Sequence, residues 1–397
     1  MNETVVIGAG YAGMTAAMSL AARTRGRGDV RITLVNPQPR FTERMRLHLT
    51  ASGQEVADLR IPELVAGTGI VFTEGWVTAV DAAARTVRVD DERTLRYDTL
   101  VYALGSVADT ESVPGADVHA HTLDSAAGAG LLAAGLERLA AGATVVVGGG
   151  GLTGVEAAAE IAEQHPALRV LLLGRTEPGS LLGAKAQAHL GAGLRRLGVR
   201  VRAGVEVAKV LPGGVELVDG EHVAADVVLW TGGVRVSPLA AAAGLTVDER
   251  GRIVTDPTLR SVSHPDVYAV GDAAAVRQNY GVVHGTCQSG MPMAAYVARA
   301  VARALKGGRG RQGRRVEPFR FGFLYQCVSL GRRDAVVQFT RPDGAPGRFA
   351  LTGRRAVGVK ESVTRAPWEV YGRIGRYGAG AAAIWRKGGR STKVTEA

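Results

Sequence analysis

The stretch that decides the fold is "VVVGGGGLTGVEAAAE", Val145 to Glu160, because it repeats in outline what the chain has already done at "VVIGAGYAGMTAAMSL", Val5 to Leu20. Each is a β-branched run, then a glycine loop, then an Ala-rich segment. In a strand, turn, helix unit of this kind the first glycine makes the tight turn and the second lets backbone approach a pyrophosphate. The third lets the helix lie close on the strand. The helix N-terminus then offers unpaired N–H groups and the positive end of its dipole to the phosphates. These positions are Gly8, Gly10 and Gly13 after a strand Thr4 to Ile7. In the register that ends the second strand at Gly148 they are Gly149, Gly151 and Gly154. With 54 glycines in 397 residues one match would mean little. Two matches, each between a β-branched run and an Ala-rich helix, predict an α/β chain with two Rossmann-like dinucleotide-binding units.

Composition suits that expectation. With 46% hydrophobic and 21% charged residues the chain can bury a sizeable core, and its length implies two or three domains. No apolar run reaches the roughly 18 to 20 residues of a spanning helix, and "MNETVVIG" enters a strand at once without a leader, so a cytoplasmic location is expected. Cys287 and Cys327 make neither a disulfide framework nor a CxxC. Charge is uneven: from 299 to 397 there are 22 Lys and Arg against 6 Asp and Glu, net +16, whereas residues 1 to 298 carry −5. The "KGGRGRQGRR" run, Lys306 to Arg315, reads as a solvated linker, with contact to anionic lipid or another acidic surface as the alternative. Nucleic acid is not an expected partner, since no reader motif accompanies the charge.

Two further pieces follow in order. "YDTLVYALGS" is a strand, Thr99 to Ala103, ending in a turn at Gly105 where the chain can leave one unit for the next. "HPDVYAVGDAAAV" is a strand, Val267 to Val270, delivering Gly271 and Asp272 to a sheet edge. An aspartate there can accept hydrogen bonds from sugar-like hydroxyls. The plainer alternative is a strand-end turn with an N-capping Asp.

The order "VVIGAGYAG", "LVYALGS", "VVVGGGGLTGVE", "VYAVGDAA" resembles the FAD-dependent pyridine nucleotide oxidoreductases with two dinucleotide-binding domains. The resemblance covers roughly residues 1 to 305. It implies a discontinuous FAD-binding domain, 1–108 and 252–305, an inserted NAD(P)H-binding domain, 109–251, and a basic C-terminal region, 306–397. Members that work through a redox disulfide carry a cysteine after the second strand, where this chain has "PRFTERMRLHLTASGQ". The FxGxxxHxxxW fingerprint of flavin monooxygenases is absent too. The cysteine-free branches remain: type II NADH dehydrogenases with ferroptosis-suppressor-like quinone reductases, and ferredoxin-reductase-like members. "GLTGVEAAAEI" is similar to the "GPTGVELAGEL" style of the quinone-reducing branch. "GTCQSGMP", Gly285 to Pro292, sits where that branch has AQxAxQ; Gln288 matches the first glutamine, while Cys287 and Pro292 depart from the pattern.

The resemblance also implies roles. Asn36, ending the strand "RITLVN", stands where an acidic residue usually bonds the FAD adenosine ribose. Arg46, with Arg44 as the weaker candidate, would reach the flavin or its pyrophosphate, a solvated basic loop being the alternative. Val77 would meet the adenine with its backbone, and Asp272 the ribityl chain. Glu156 would sit beside nicotinamide and flavin and orient the donor or manage a proton, unless it only complements the helix dipole. Gly174 followed by Arg175, with no acid evident nearby, favours NADPH over NADH as donor, since arginine accommodates a 2′-phosphate. Cys287 and Cys327 could serve as a redox pair, although burial as small hydrophobes is the commoner fate.

The tail "PWEVYGRIGRYGAGAAAIWRKGGR" puts Val370, Ile374, Tyr377, Ala381 and Ile384 on one helical face, with Arg373 and Arg376 off it and Trp368 and Trp385 near the ends. Glycines at 372, 375, 378 and 380 each cost a helix about 1 kcal/mol relative to Ala. Such a segment suits a membrane surface, on the inner face, or packing on the body or on a second protomer of a homodimer. The function expected is an FAD-dependent NAD(P)H oxidoreductase passing electrons to a quinone or other small acceptor. Reduction of a ferredoxin-like carrier or specialised substrate, and a redox-sensing binding protein, are the alternatives.

Overall fold

Runs of Val, Ile and Leu closed by glycine form the strands of two parallel sheets in the computed structural model, which describes residues 1–306, 316–377, 385 and 387–392. Because helices cover both faces, these strands are apolar nearly throughout instead of alternating. The first sheet holds β1 (Asn2–Ile7), β2 (Val30–Asn36), β3 (Ile70–Glu74) and β4 (Thr99–Tyr102). The chain then crosses to a second sheet of β5 (Thr144–Gly148), β6 (Arg169–Gly174), β7 (Arg200–Ala203) and β8 (Val227–Trp230), in the order β7–β6–β5–β8. It returns with β9 (Val267–Ala269), which completes the first sheet in the order β9–β4–β1–β2–β3. The two crossings, Ser106–Ala108 outward and Val234–Val236 back, pair antiparallel with each other.

Six helices matter to the site. They are α1 (Tyr11–Arg23), α2 (Leu47–Ala51), α3 (Leu152–Gln164), α4 (Ala184–Arg196), α5 (Cys287–Lys306) and α6 (Gly353–Tyr377). Helices α1 and α3 leave β1 and β5 through the two glycine loops. Helix α5 follows β9 and packs on α1, where Gly271 and Gly290 let it lie against Ala12.

The C-terminal region differs from the basic linker and tail that charge suggested. Its described part is an antiparallel sheet of β10 (Tyr325–Ser329), β11 (Ala335–Thr340) and β12 (Pro346–Thr352), followed by α6. Val328 and Val336 join the core of the second sheet, while Ala335 and Val337 pack with Ala356 of α6. Its central strand β11 is buried nearly throughout and shows no alternation, and the surrounding arginines outweighed that apolar run in the composition.

Of the face expected in the tail, only Val370 has a described side chain. Helix α6 starts at Gly353, and its buried residues are Ala356, Lys360, Thr364, Pro367 and Tyr371, spaced by four, four, three and four. Val370 is half-buried beside that face. Tyr371 donates its hydroxyl to the Tyr11 carbonyl at 2.9 Å and sets its ring edge-on to Phe41 at 6.0 Å, an arrangement worth about 0.5–1.5 kcal/mol beyond burial. Trp385 also folds onto the body, donating Nε1–H to the Arg320 carbonyl with Arg299 over its ring. Ala381 and Ile384 lie outside the described residues, as do the side chains of Ile374 and Tyr377. No helix among the described residues is long and apolar enough to cross a membrane.

Candidate active site

Two cradles repeat one geometry. Gly8 and Gly149 have φ of +89° and +120°, a region L side chains avoid. A Cβ at Gly13 would overlap the Gly8 carbonyl, and one at Gly154 the Gly149 carbonyl, so only glycine lets either helix seat on its strand. Gly10 and Gly151 cap α1 and α3 and differ in kind: nothing lies within 4 Å of where their Cβ would be. No side chain caps either helix. The first intrahelical bonds are Met14 N–H to Gly10 O and Val155 N–H to Gly151 O, which leaves the earlier N–H groups facing open space at the positive helix end. The residues present suit a dinucleotide pyrophosphate at both places.

The first cradle and the first turn of α3, at Leu152, Thr153 and Glu156, open into one cleft of about 2030 Å³, walled on the far side by β10 and α6. Asn36 and Val77 line it, but the Asn36 amide is already engaged: Oδ1 accepts from Ala9 N–H at 2.9 Å and Nδ2 donates to Gln38 O at 2.8 Å. Trp76, 63% exposed and also on the wall, escaped the sequence reading. Gly105 (φ +67°) and Gly271 (φ +72°) bring backbone to the cleft just past the neighbouring parallel strands β4 and β9. Asp272 lies there too, its Oδ2 accepting from Ser106 Oγ at 2.6 Å.

Three expectations are corrected. The ranking of Arg46 above Arg44 reverses. Arg44 lines the cleft, donating to the Ser106 carbonyl and pairing with Asp124 at 3.4 Å. Arg46 turns away to Glu361 at 3.0 Å and Thr364 at 3.1 Å on α6. Gln288 is on the wall, but its Nε2 donates to Tyr325 O at 3.0 Å and its Oε1 accepts from Leu324 N–H at 2.7 Å. It fastens that segment to α5 and has little left for a substrate. Arg175 is 78% exposed and lies 3.6 Å from Glu206. An acid is therefore near, and the argument for NADPH loses its premise.

Glu156 is the centre the cleft converges on. It accepts from Ser329 N–H at 2.9 Å, from Ser329 Oγ at 3.3 Å and from Lys360 Nζ, and His48 Nδ1 stands 3.8 Å away. Burial pushes its carboxyl up, but the Lys360 ammonium, with the Ser329 N–H, outweighs that and holds it below the usual range. Burial drives His48 down to about 4, so its ring is neutral at neutral pH. Its Nε2 reaches Ser329 Oγ at 3.4 Å. Lys360, His48 and Ser329 were missed. The one available signal was a lysine on the buried face of "AVGVKESVT", between Ala356 and Thr364.

Cys287 and Cys327 are free. Burial raises their thiols to about 11 and about 12, and Cys287 Sγ lies 3.1 Å from Met45 Sδ. Neither is a thiolate at neutral pH. No group of residues among those described is arranged to hold a metal.

The family described as pyridine nucleotide-disulphide oxidoreductase matches residues 2–302. The chain is 35% identical over 321 residues to the NADH dehydrogenase-like protein Rv1812c of Mycobacterium tuberculosis, covering 75% of this chain and 79% of that one. It is 27% identical over 399 residues to the type II NADH:quinone oxidoreductase NdhA of the same species, covering 88% and 81%. Its fold is similar to that of NDH2 from Plasmodium falciparum in complex with NADH, with TM-score 0.77, 14% identity, and 95% and 99% of the two chains covered. The family match spans both cradles and most of the chain, which accordingly belongs to the pyridine nucleotide-disulphide oxidoreductase family as an NAD(P)H-dependent flavoprotein oxidoreductase.

Proposed function

We propose that this protein oxidises NAD(P)H and hands the electrons to a quinone-type acceptor. The observation that carries this reading is the cluster of Glu156, Lys360 and His48, backed by Ser329, on the wall of a cleft lined by the first cradle and by the first turn of α3. When bound, the flavin supplies the redox chemistry, taking a hydride from the nicotinamide and releasing two electrons to the acceptor.

The chain's own residues bind, orient and manage protons. The first-turn N–H groups of α1 and α3 hold the two pyrophosphates. Asp272 and Ser106 meet hydroxyls of the flavin's sugar-like chain, and Arg44 steadies that wall. Glu156 presents a fixed carboxylate to the cleft, held in place and charged by the Lys360 ammonium. Neutral His48 keeps the cluster in place without adding charge. Val359, Val363 and Val370 of α6, with Phe323 and Leu324, form the apolar side of the cleft, which suits a quinone ring and excludes water. Arg354 and Arg355 also line it, a placement that suits approach from an anionic lipid surface. In this reading 1–108 with 252–305 carry FAD and 109–251 carry NAD(P)H.

The test is anaerobic stopped-flow of the yellow protein. Rapid bleaching by NADH or NADPH followed by rapid recolouring with a soluble quinone is expected, and the same experiment ranks the donors. Bleaching without recolouring sinks the quinone reading.

A further inference from the structure

Glu160 is one helical turn beyond Glu156 on α3 and on the same face. Its residue exposure is 0%, yet it is not paired with a cation. Oε2 accepts from Gln54 Nε2 at 2.8 Å, and Oε1 is buried with no hydrogen-bond partner. Burial raises its carboxyl to about 7; Gln54 and Arg332 pull it down, Glu163 and Glu156 push it up. The charged groups facing it are thus Glu156 and Glu163 from α3 and Arg332 from the turn between β10 and β11, while His48 and Lys360 face Glu156 instead.

Gln54 is the way out. It is part-exposed, its Nε2 also reaches Ser52 Oγ at 3.0 Å, and the Ser52 carbonyl lies 3.3 Å from His165 Nε2. Part-exposed Gln54 thus connects the surface to Glu160, and Glu156 follows one turn along the same helix face toward the cleft. The structural role such a glutamate could play, an ion pair, is not played.

We propose that Glu160 is the proton-loading group behind Glu156, filled from solvent at the Gln54 edge and drained toward the acceptor through Glu156. The inference rests on the quinone reading. In that reaction NAD(P)H and one solvent proton become NAD(P)⁺ while the quinone gains two electrons and two protons, one of them carried with the hydride. One proton per turnover must therefore enter from solvent. Glu156, held as a carboxylate by Lys360, needs a neighbour that is protonated at neutral pH to supply it. Because Glu160 reaches the acceptor only through Glu156, it is a positioning residue.

The experiment compares wild type, Glu160→Gln and Gln54→Leu with two acceptors: a soluble quinone, which takes up protons, and ferricyanide, which takes electrons alone. Both variants should slow quinone reduction by about tenfold and keep ferricyanide reduction within about twofold of wild type. A second readout needs no acceptor. The infrared difference spectrum between acid and alkaline samples should show a protonated carboxylic C=O band near neutrality that Glu160→Gln lacks. Equal effects on both acceptors, no effect on either, or no such band overturns the relay and leaves the quinone reading standing. A wild type that reduces ferricyanide and not quinone overturns the two together.

Discussion

Two residues past the last glycine, the first cradle has Thr15 and the second has Glu156, and both reach the same helix. Thr15 Oγ1 lies 3.2 Å from the Tyr371 hydroxyl, and Glu156 holds Lys360, so α6 grips α1 and α3 at equivalent points three turns apart on its own buried face. The backbone plan of the cradles is shared. What differs is the chemistry at the grip, neutral and aromatic at the first, ionic at the second. Holding a dinucleotide is therefore a property of glycines and helix ends, whereas reacting is a property of the side chains a turn further on.

The comparison breaks most visibly at Lys360. Lys360→Met leaves a buried carboxylate unpaired and should lower unfolding free energy by about 3–5 kcal/mol in urea titrations. Adding Glu156→Leu should recover most of that loss while quinone reduction stays abolished. If the single variant is as stable as wild type, the ion pair is not what holds α6 to α3.

The glycines sharpen it next. Gly13→Ala and Gly154→Ala push a methyl into a carbonyl and should each cost about 1–3 kcal/mol. Gly10→Ala and Gly151→Ala meet open space, so folding should be unchanged. Gly10→Ala should instead release flavin, and Gly151→Ala should raise the KM for NAD(P)H about tenfold. Matching losses of flavin in both would mean that the second loop does not hold the donor.

Tyr371→Phe removes the hydroxyl that binds Tyr11 O and Thr15, and should cost about 0.5–1.5 kcal/mol. Flavin retention should fall, and the KM for NAD(P)H should not move.

The smallest effect is a pH dependence. Glu160 has a folded pKa of about 7, above its unfolded value. Its contribution to stability is therefore fully present below the unfolded pKa and lost as pH rises through about 7. Thermal melts of Glu160→Gln should gain on wild type as pH rises from about 5 to about 8, and a constant difference would show that the carboxyl does not titrate there.

The cradles were legible because their requirement is local: a left-handed φ or a missing Cβ is a demand on one residue type at one spacing. Asp272 was legible for the same reason, at the end of an apolar strand. The ionic partner of Glu156 was not, since Lys360 lies 204 residues away and only the folded helix brings it there. Arg44 and Arg46 sit on one 3-10 turn, and nothing in "RMR" says which faces the cleft and which faces α6. The donor preference failed on Glu206, just past β7, which sequence proximity to Arg175 could not reveal. The C-terminal sheet was hidden by the charge around it.

One feature of α6 bears on how the protein is made. During synthesis the ribosome delivers both glycine cradles, β9 and α5 well before it delivers Lys360 and Tyr371. The glycine loops of both cradles therefore precede, in the order of synthesis, the lysine that pairs with Glu156. Cradle and charge are separated in time by the order of the chain itself.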